Sequence, residues 1–222
     1  MTELRFDRLD TDGALVDAVA ALHDQSRADF LRTAVVGSGA LVALFARPTS
    51  AEARTRDVAI LNFALVLEYL QAAFYTEVER IGNLNGPLER QSRIVGAHER
   101  AHVRAFRDAL GRRAVARPRF DFGGATESPE RFRRTAVGFE DLAVAAYKAQ
   151  APRIRSRAYL ASALAIHAVE ARHAAWIRRL AGVSPVLEAF DEPAGRTEVL
   201  RAVRATNFIA TTRSRRSPRY TG

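Results

Sequence analysis

Two short strings constrain this chain more than anything else in it: Glu99-Arg100-Ala101-His102 and Glu170-Ala171-Arg172-His173. Each reads Glu-x-x-His within a long helix-forming stretch. Residues three apart on a helix lie on one face, one turn above the other. Each string therefore aims a carboxylate and an imidazole at one point. Two further carboxylates sit in strongly apolar surroundings, Glu68 between Ile60 and Leu70 and Glu140 between Ala136 and Leu142. A buried carboxylate is costly unless something pairs with it. One Glu-x-x-His arises by chance in many helical proteins. Two of them, with two apolar-flanked glutamates, point to a site for two metal ions rather than to four solvated helix faces. The expected metal ligands are Glu68, Glu99, His102, Glu140, Glu170 and His173, with no catalytic residue beyond them.

Spacing supports the same reading. In an antiparallel helical hairpin, residues equally far from the turn lie at one height. Glu68 and Glu99 are 31 residues apart and centred on the breaker-dense turn Gly82-Asn83-Leu84-Asn85-Gly86-Pro87. Glu140 and Glu170 are 30 apart and centred near 155, beside Pro152 and Ser156. At 1.5 Å per residue all four carboxylates meet roughly 20 Å from the hairpin ends. The halves also repeat. Ala64 aligns with Ala136, Leu70 with Leu142, Ala73 with Ala145 and Ala97 with Ala168. Each lone glutamate has a tyrosine seven residues later, Tyr75 and Tyr147.

Breakers delimit the helices. The capping box Thr49-Ser50-Ala51-Glu52 opens a first helix that runs to about Ile81 and stops at Gly82. The second is expected from about Pro87 to Leu110. The third starts at the cap-plus-proline pair Ser128-Pro129 and ends near Gln150. The fourth is expected from about Pro152 to Leu180, stopping at Gly182. A short amphipathic helix near Thr197–Ala205 follows. The link from Arg112 to Ser128 is about 17 residues and reaches at most about 60 Å extended, whereas a 25-residue helix is about 37 Å long. It can cross from end to end. The expected fold is therefore all-α, an up-down-down-up four-helix bundle over 51–182. A leader covers 1–50, and the short helix and a basic tail cover 183–222.

The composition agrees. Of 222 residues, 48% are apolar and 27% charged, ordinary for a globular chain. With no Cys, any metal site must use His and carboxylate, and iron–sulfur clusters are excluded. No haem is expected either, and one with a Met axial ligand is removed because the single Met is the first residue. The net charge of +9 comes almost wholly from Arg, Lys148 being the only Lys. A solvated basic surface accounts for it. No aromatic interleaving or recognition motif points to nucleic acid.

In the leader, Ser26-Arg27-Ala28-Asp29-Phe30-Leu31-Arg32 precedes an apolar stretch from Thr33 to Ala46. About 14 residues is too short to span a bilayer, so no transmembrane helix is expected. The pattern is similar to a twin-arginine export signal, with Ala28 in place of the second Arg. Two readings stand: export through such a signal, or a cytoplasmic protein whose apolar leader helix packs on the bundle or on a second subunit.

The run Asp57-Val58-Ala59-Ile60-Leu61-Asn62-Phe63-Ala64-Leu65-Val66-Leu67-Glu68-Tyr69-Leu70, with Ala73-Phe74-Tyr75, resembles the opening of bacterial ferritin-like domains. Gly96–His102 and His167–Trp176 match the same pattern. The family is related to desiccation-associated proteins and more distantly to rubrerythrins and manganese catalases. The resemblance covers about 55–181 and implies the same ligand roles for Glu68, Glu99, His102, Glu140, Glu170 and His173. It implies iron or manganese, and redox chemistry on dioxygen or hydrogen peroxide, as a ferroxidase, peroxidase or catalase-like enzyme of oxidative stress. Homodimers are common among such bundles. The alternative is a metal-binding or stress-protective structural protein without turnover, its basic tail binding an anion.

Other residues carry less weight. Tyr75, Tyr147 and His167 are candidates for support around the ligands. The tyrosines are read as packed aromatics with satisfied hydroxyls, and His167 as a hydrogen-bonded core histidine. His98 lies about 100° around the helix from Glu99 and is read as supporting the site or facing solvent. Trp176 is read as core.

Overall fold

The computed structural model describes residues 51–186 and 188–210. The leader, the first residues of the expected capping box and the arginines of the basic tail lie outside the described residues. Four long helices make the bundle: α1 (Ala51–Ile81), α2 (Gly86–Leu110), α3 (Pro129–Gln150) and α4 (Arg157–Leu180). A short α5 (Arg196–Ala205) follows.

The helix ends obey local chemistry. α1 ends where Gly82 takes φ 69°, its amide donating to the carbonyl of Val78 at 3.0 Å. The missing Cβ makes that left-handed turn cheap. α3 is capped by Ser128, whose hydroxyl accepts from the Arg131 amide, with Pro129 in the first turn. One boundary differs from expectation. Pro152 does not open α4 but sits in a 3-10 turn, Ala151–Arg153, that continues the end of α3. The chain then extends at Ile154, and α4 begins at Arg157 behind the N-cap Ser156. The cause lies in α1. The buried carboxylate of Asp57 accepts from the backbone amides of Arg155 and Ser156, both at 2.9 Å, and holds this corner in an extended form.

Side-chain bonds between helices establish their directions. Tyr75 of α1 meets Glu140 of α3, while Glu68 of α1 meets Tyr147 of α3. Numbers rising on one helix fall on the other, so α1 and α3 are antiparallel. Likewise His98 of α2 meets His173 of α4 and His102 meets Glu170, so α2 and α4 are antiparallel. With α1–α2 and α3–α4 each a hairpin, the order is up-down-down-up. The crossover runs along α1 from one end to the other. Asn62 binds Arg113 and Val115, Tyr69 binds the Val115 carbonyl, and Asn83 binds the Thr126 carbonyl.

Two apolar cores lie on either side of the mid-height. One, towards the α1–α2 turn, gathers Phe74, Val78, Val95, Phe132, Phe139 and Ile177, with Phe74 and Phe132 stacked at 5.5 Å. The other, at the opposite end, gathers Ile60, Leu65, Phe106, Leu110 and Ile154. α5 lays Val199 and Val203 into the first core. Just after α5, Phe208 and Ile209 pair with the crossover, the Asp121 amide donating to Phe208 and the Ala210 amide to Arg119. Among the described residues α1 is the one helix long and apolar enough to cross a membrane by length and composition, and 72% of its most apolar window is buried inside the bundle.

Candidate metal centre

Between the two cores the bundle is polar. Glu68 comes from α1, Glu99 and His102 from α2, Glu140 from α3, and Glu170 and His173 from α4. The four glutamates are at most 1% exposed and His173 is 3% exposed. Helical spacing stacks each Glu-x-x-His pair, and the matched heights of the two hairpins bring the pairs together with the lone glutamates.

The donor atoms form two overlapping groups. Glu68, Glu99, His102 and Glu170 make one; Glu99, Glu140, Glu170 and His173 make the other, with the ligand atoms of each group within 4.8 Å of one another. Glu99 and Glu170 belong to both. Nδ1 of His102 lies 3.2 Å from Glu68, 3.0 Å from Glu170 and 3.7 Å from Glu99. Nδ1 of His173 lies 3.1 Å from Glu99, 3.5 Å from Glu140 and 3.6 Å from Glu170.

These distances are short, yet most of the atoms are not aligned as hydrogen bonds. Both oxygens of Glu99 and of Glu170, Oε2 of Glu140 and Nδ1 of His173 are buried without a hydrogen-bond partner. Buried polar atoms are ordinarily satisfied. A cluster of orphaned acceptors facing one another is the arrangement a cation completes. Among the described residues the site can therefore hold metal ions.

The protons of the cluster follow from crowding. Burial, and then the charges of Glu170 and Glu68, push the Glu99 carboxyl well above the ordinary carboxylate range. Burial also raises Glu140. Glu170 goes the other way: burial opposes its ionisation, but contacts with His102 and His173 pull it down to about 2. Burial would lower His173, but contacts with Glu140, Glu170 and Glu99 outweigh it and push it to about 11. Burial would lower His102 too, but Glu68, Glu170 and Glu99 together outweigh it and raise it well above its ordinary value. Without a cation the surrounding carboxylates favour the protonated form of both imidazoles.

The surrounding residues depart in part from the sequence reading. Tyr75 and Tyr147 are buried with satisfied hydroxyls, as expected, but their partners are the lone glutamates themselves. Tyr75 donates to Oε1 of Glu140 at 2.6 Å and Tyr147 to Oε1 of Glu68. Burial and the adjacent carboxylate keep both phenols well above their usual range, so they remain donors. His167 is not the hydrogen-bonded core histidine expected. It is half-buried, its ring 6.5 Å from that of Tyr147, and its Nδ1 has no partner. Trp176 is only partly buried. His98 is exposed at its outer side and hydrogen-bonds Nε2 of His173 at 2.8 Å. Asp57, which sets the α3–α4 corner, was not singled out as functional or structural; a buried acid in the first turns of an apolar helix was its only signal.

Fold and site together define an antiparallel helical bundle with a buried carboxylate–histidine cluster able to hold metal. Residues 56–183 match the model of the ferritin-like domain, and the chain belongs to that family. A search among curated proteins returned no match.

Proposed function

We propose that this chain is a di-metal carboxylate protein, holding two ions of iron or manganese and acting on dioxygen or hydrogen peroxide as a ferroxidase or peroxide scavenger. The observation that carries the proposal is the pair of overlapping donor groups with orphaned buried atoms. Glu68 and His102 would serve one ion, Glu140 and His173 the other, with Glu99 and Glu170 shared. Oxygen and imidazole donors without thiolate suit iron and manganese. Charge also balances: four carboxylates offset two divalent cations once the imidazoles give up their protons.

Bound there, iron or manganese would supply one electron per ion to dioxygen or peroxide. The chain's own residues orient and isolate the site. Tyr147 holds one oxygen of Glu68 and leaves Oε2 on the side of His102; Tyr75 holds one oxygen of Glu140 and leaves Oε2 on the side of His173. The aromatic and aliphatic cores above and below keep bulk water from both ends.

Elemental analysis of protein expressed with iron and manganese both present tests the reading. About two ions per chain are expected, with Fe(II) oxidation or peroxide consumption that disappears in Glu170→Ala. A folded protein that takes up neither ion overturns the metal assignment. Two retained ions with neither activity would favour the protective, non-catalytic reading.

A further inference from the structure

The internal repeat of this chain is broken at one position beside the centre. Glu99 and His102 on α2 correspond to Glu170 and His173 on α4, yet His98 before the first glutamate corresponds to Val169 before the second. The fold turns that difference into a one-sided contact. His98 reaches from α2 across to α4, where its Nδ1 lies 2.8 Å from Nε2 of His173 and the two rings stack at 5.1 Å and 18°. At the corresponding position of α4 the repeat supplies Val169, whose side chain has no acceptor.

The two nitrogens of His173 therefore face different partners. Nδ1 points inward, within 3.1–3.6 Å of Glu99, Glu140 and Glu170. Nε2 points outward to His98. A hydrogen bond between two imidazoles needs one donor and one acceptor. An imidazole that offers its Nδ1 lone pair to a cation carries its proton on Nε2. Nε2–H must then donate, and Nδ1 of His98 must accept.

We propose that His98 is a positioning residue for one half of the centre: by accepting the Nε2–H of His173 it holds the tautomer and ring angle that turn Nδ1 onto the carboxylates, and so makes the two cation positions unequal. This rests on the two-ion reading above. The position served by His173 gains an oriented, more basic ligand, whereas the repeat supplies no imidazole before Glu170 to do the same for the position served by His102. Partners of this kind alter metal affinity by about 10- to 100-fold.

Two variants separate the hydrogen bond from the packing. His98→Phe keeps a stacked ring and removes the acceptor. His98→Asn gives up the ring but places an amide oxygen near the site of Nδ1. The full chain, stripped of metal, is titrated calorimetrically with manganese(II). Wild type is expected to bind in two unequal steps. His98→Phe should weaken one step about 10- to 100-fold and leave the other unchanged, and His98→Asn should recover most of that loss. Unaltered binding in His98→Phe overturns the proposal, as does an equal loss at both steps in both variants, which marks a packing role. Proton NMR of the metal-free protein provides an independent reading. The Nε2–H of His173 should give a downfield, exchange-protected signal that His98→Phe abolishes. If wild type takes up no manganese, the two-ion reading fails, and survival of that signal in His98→Phe then overturns the hydrogen bond separately.

Discussion

Glu99 is the residue at which stability and metal binding should pull apart most clearly. It is fully buried, both oxygens lack hydrogen-bond partners, and its carboxyl is crowded by Glu170 and Glu68. An unsatisfied buried polar group costs about 1–3 kcal/mol. Glu99→Leu removes that group and leaves an apolar side chain of similar bulk between the two cores. The metal-free variant should thus be more stable than wild type by about 1–3 kcal/mol, which for a domain of this size is a rise of about 2–12 °C in Tm. The pH dependence has a definite sign. Folding raises this carboxyl above its ordinary 4.5, so the native state holds the proton more tightly than the unfolded chain. Wild-type stability then falls as pH rises above that value, and the advantage of the variant should be larger at neutral pH than at pH 4. If manganese binds as proposed, wild type at 100 times the dissociation constant should gain about 2.7 kcal/mol per ion. The variant lacks the carboxylate common to both donor groups and should gain little, so the order of stabilities should invert. Guanidinium denaturation with a chelator and then with manganese(II) measures both halves. A metal-free Glu99→Leu protein less stable than wild type at neutral pH would refute the reasoning, because the carboxyl would then be holding the bundle together by itself.

Two other outcomes follow from particular contacts. At pH 7 the uptake of the two proposed manganese ions should expel about two protons, from His102 and His173, because ligands bind in their deprotonated forms. Affinity should accordingly fall as pH falls, and calorimetry in buffers of different ionisation enthalpy counts the protons; none released would mean the imidazoles were neutral beforehand. Asp57→Ala leaves the Arg155 and Ser156 amides without their acceptor and should cost about 3–5 kcal/mol in the metal-free protein. Asp57→Asn, which keeps one acceptor, should recover roughly half of that loss in the same denaturation experiment.

The members of the buried carboxylate–histidine cluster and the height at which they meet were legible in the sequence because both are local properties. Helical periodicity places Glu99 over His102 and Glu170 over His173. The breakers at Gly82 and Pro152 put each lone glutamate level with a pair, and an acid inside an apolar run declares that something must meet it. The starts and stops at Gly82, Leu110 and Ser128 were readable for the same reason, since capping chemistry acts within one turn.

What the sequence did not contain was who faces whom between helices. That Tyr75 serves Glu140 and Tyr147 serves Glu68, rather than each serving its own helix, depends on the antiparallel packing of α1 and α3. Asp57 delays α4 to Arg157 from a distance of about 100 residues, beyond the reach of any capping rule, which spans a turn of about four. The contact between His98 and His173 arises only because α2 and α4 cross there. A helix specifies the face it buries through its own periodicity, whereas the neighbour on that face is chosen by how all the helices pack at once.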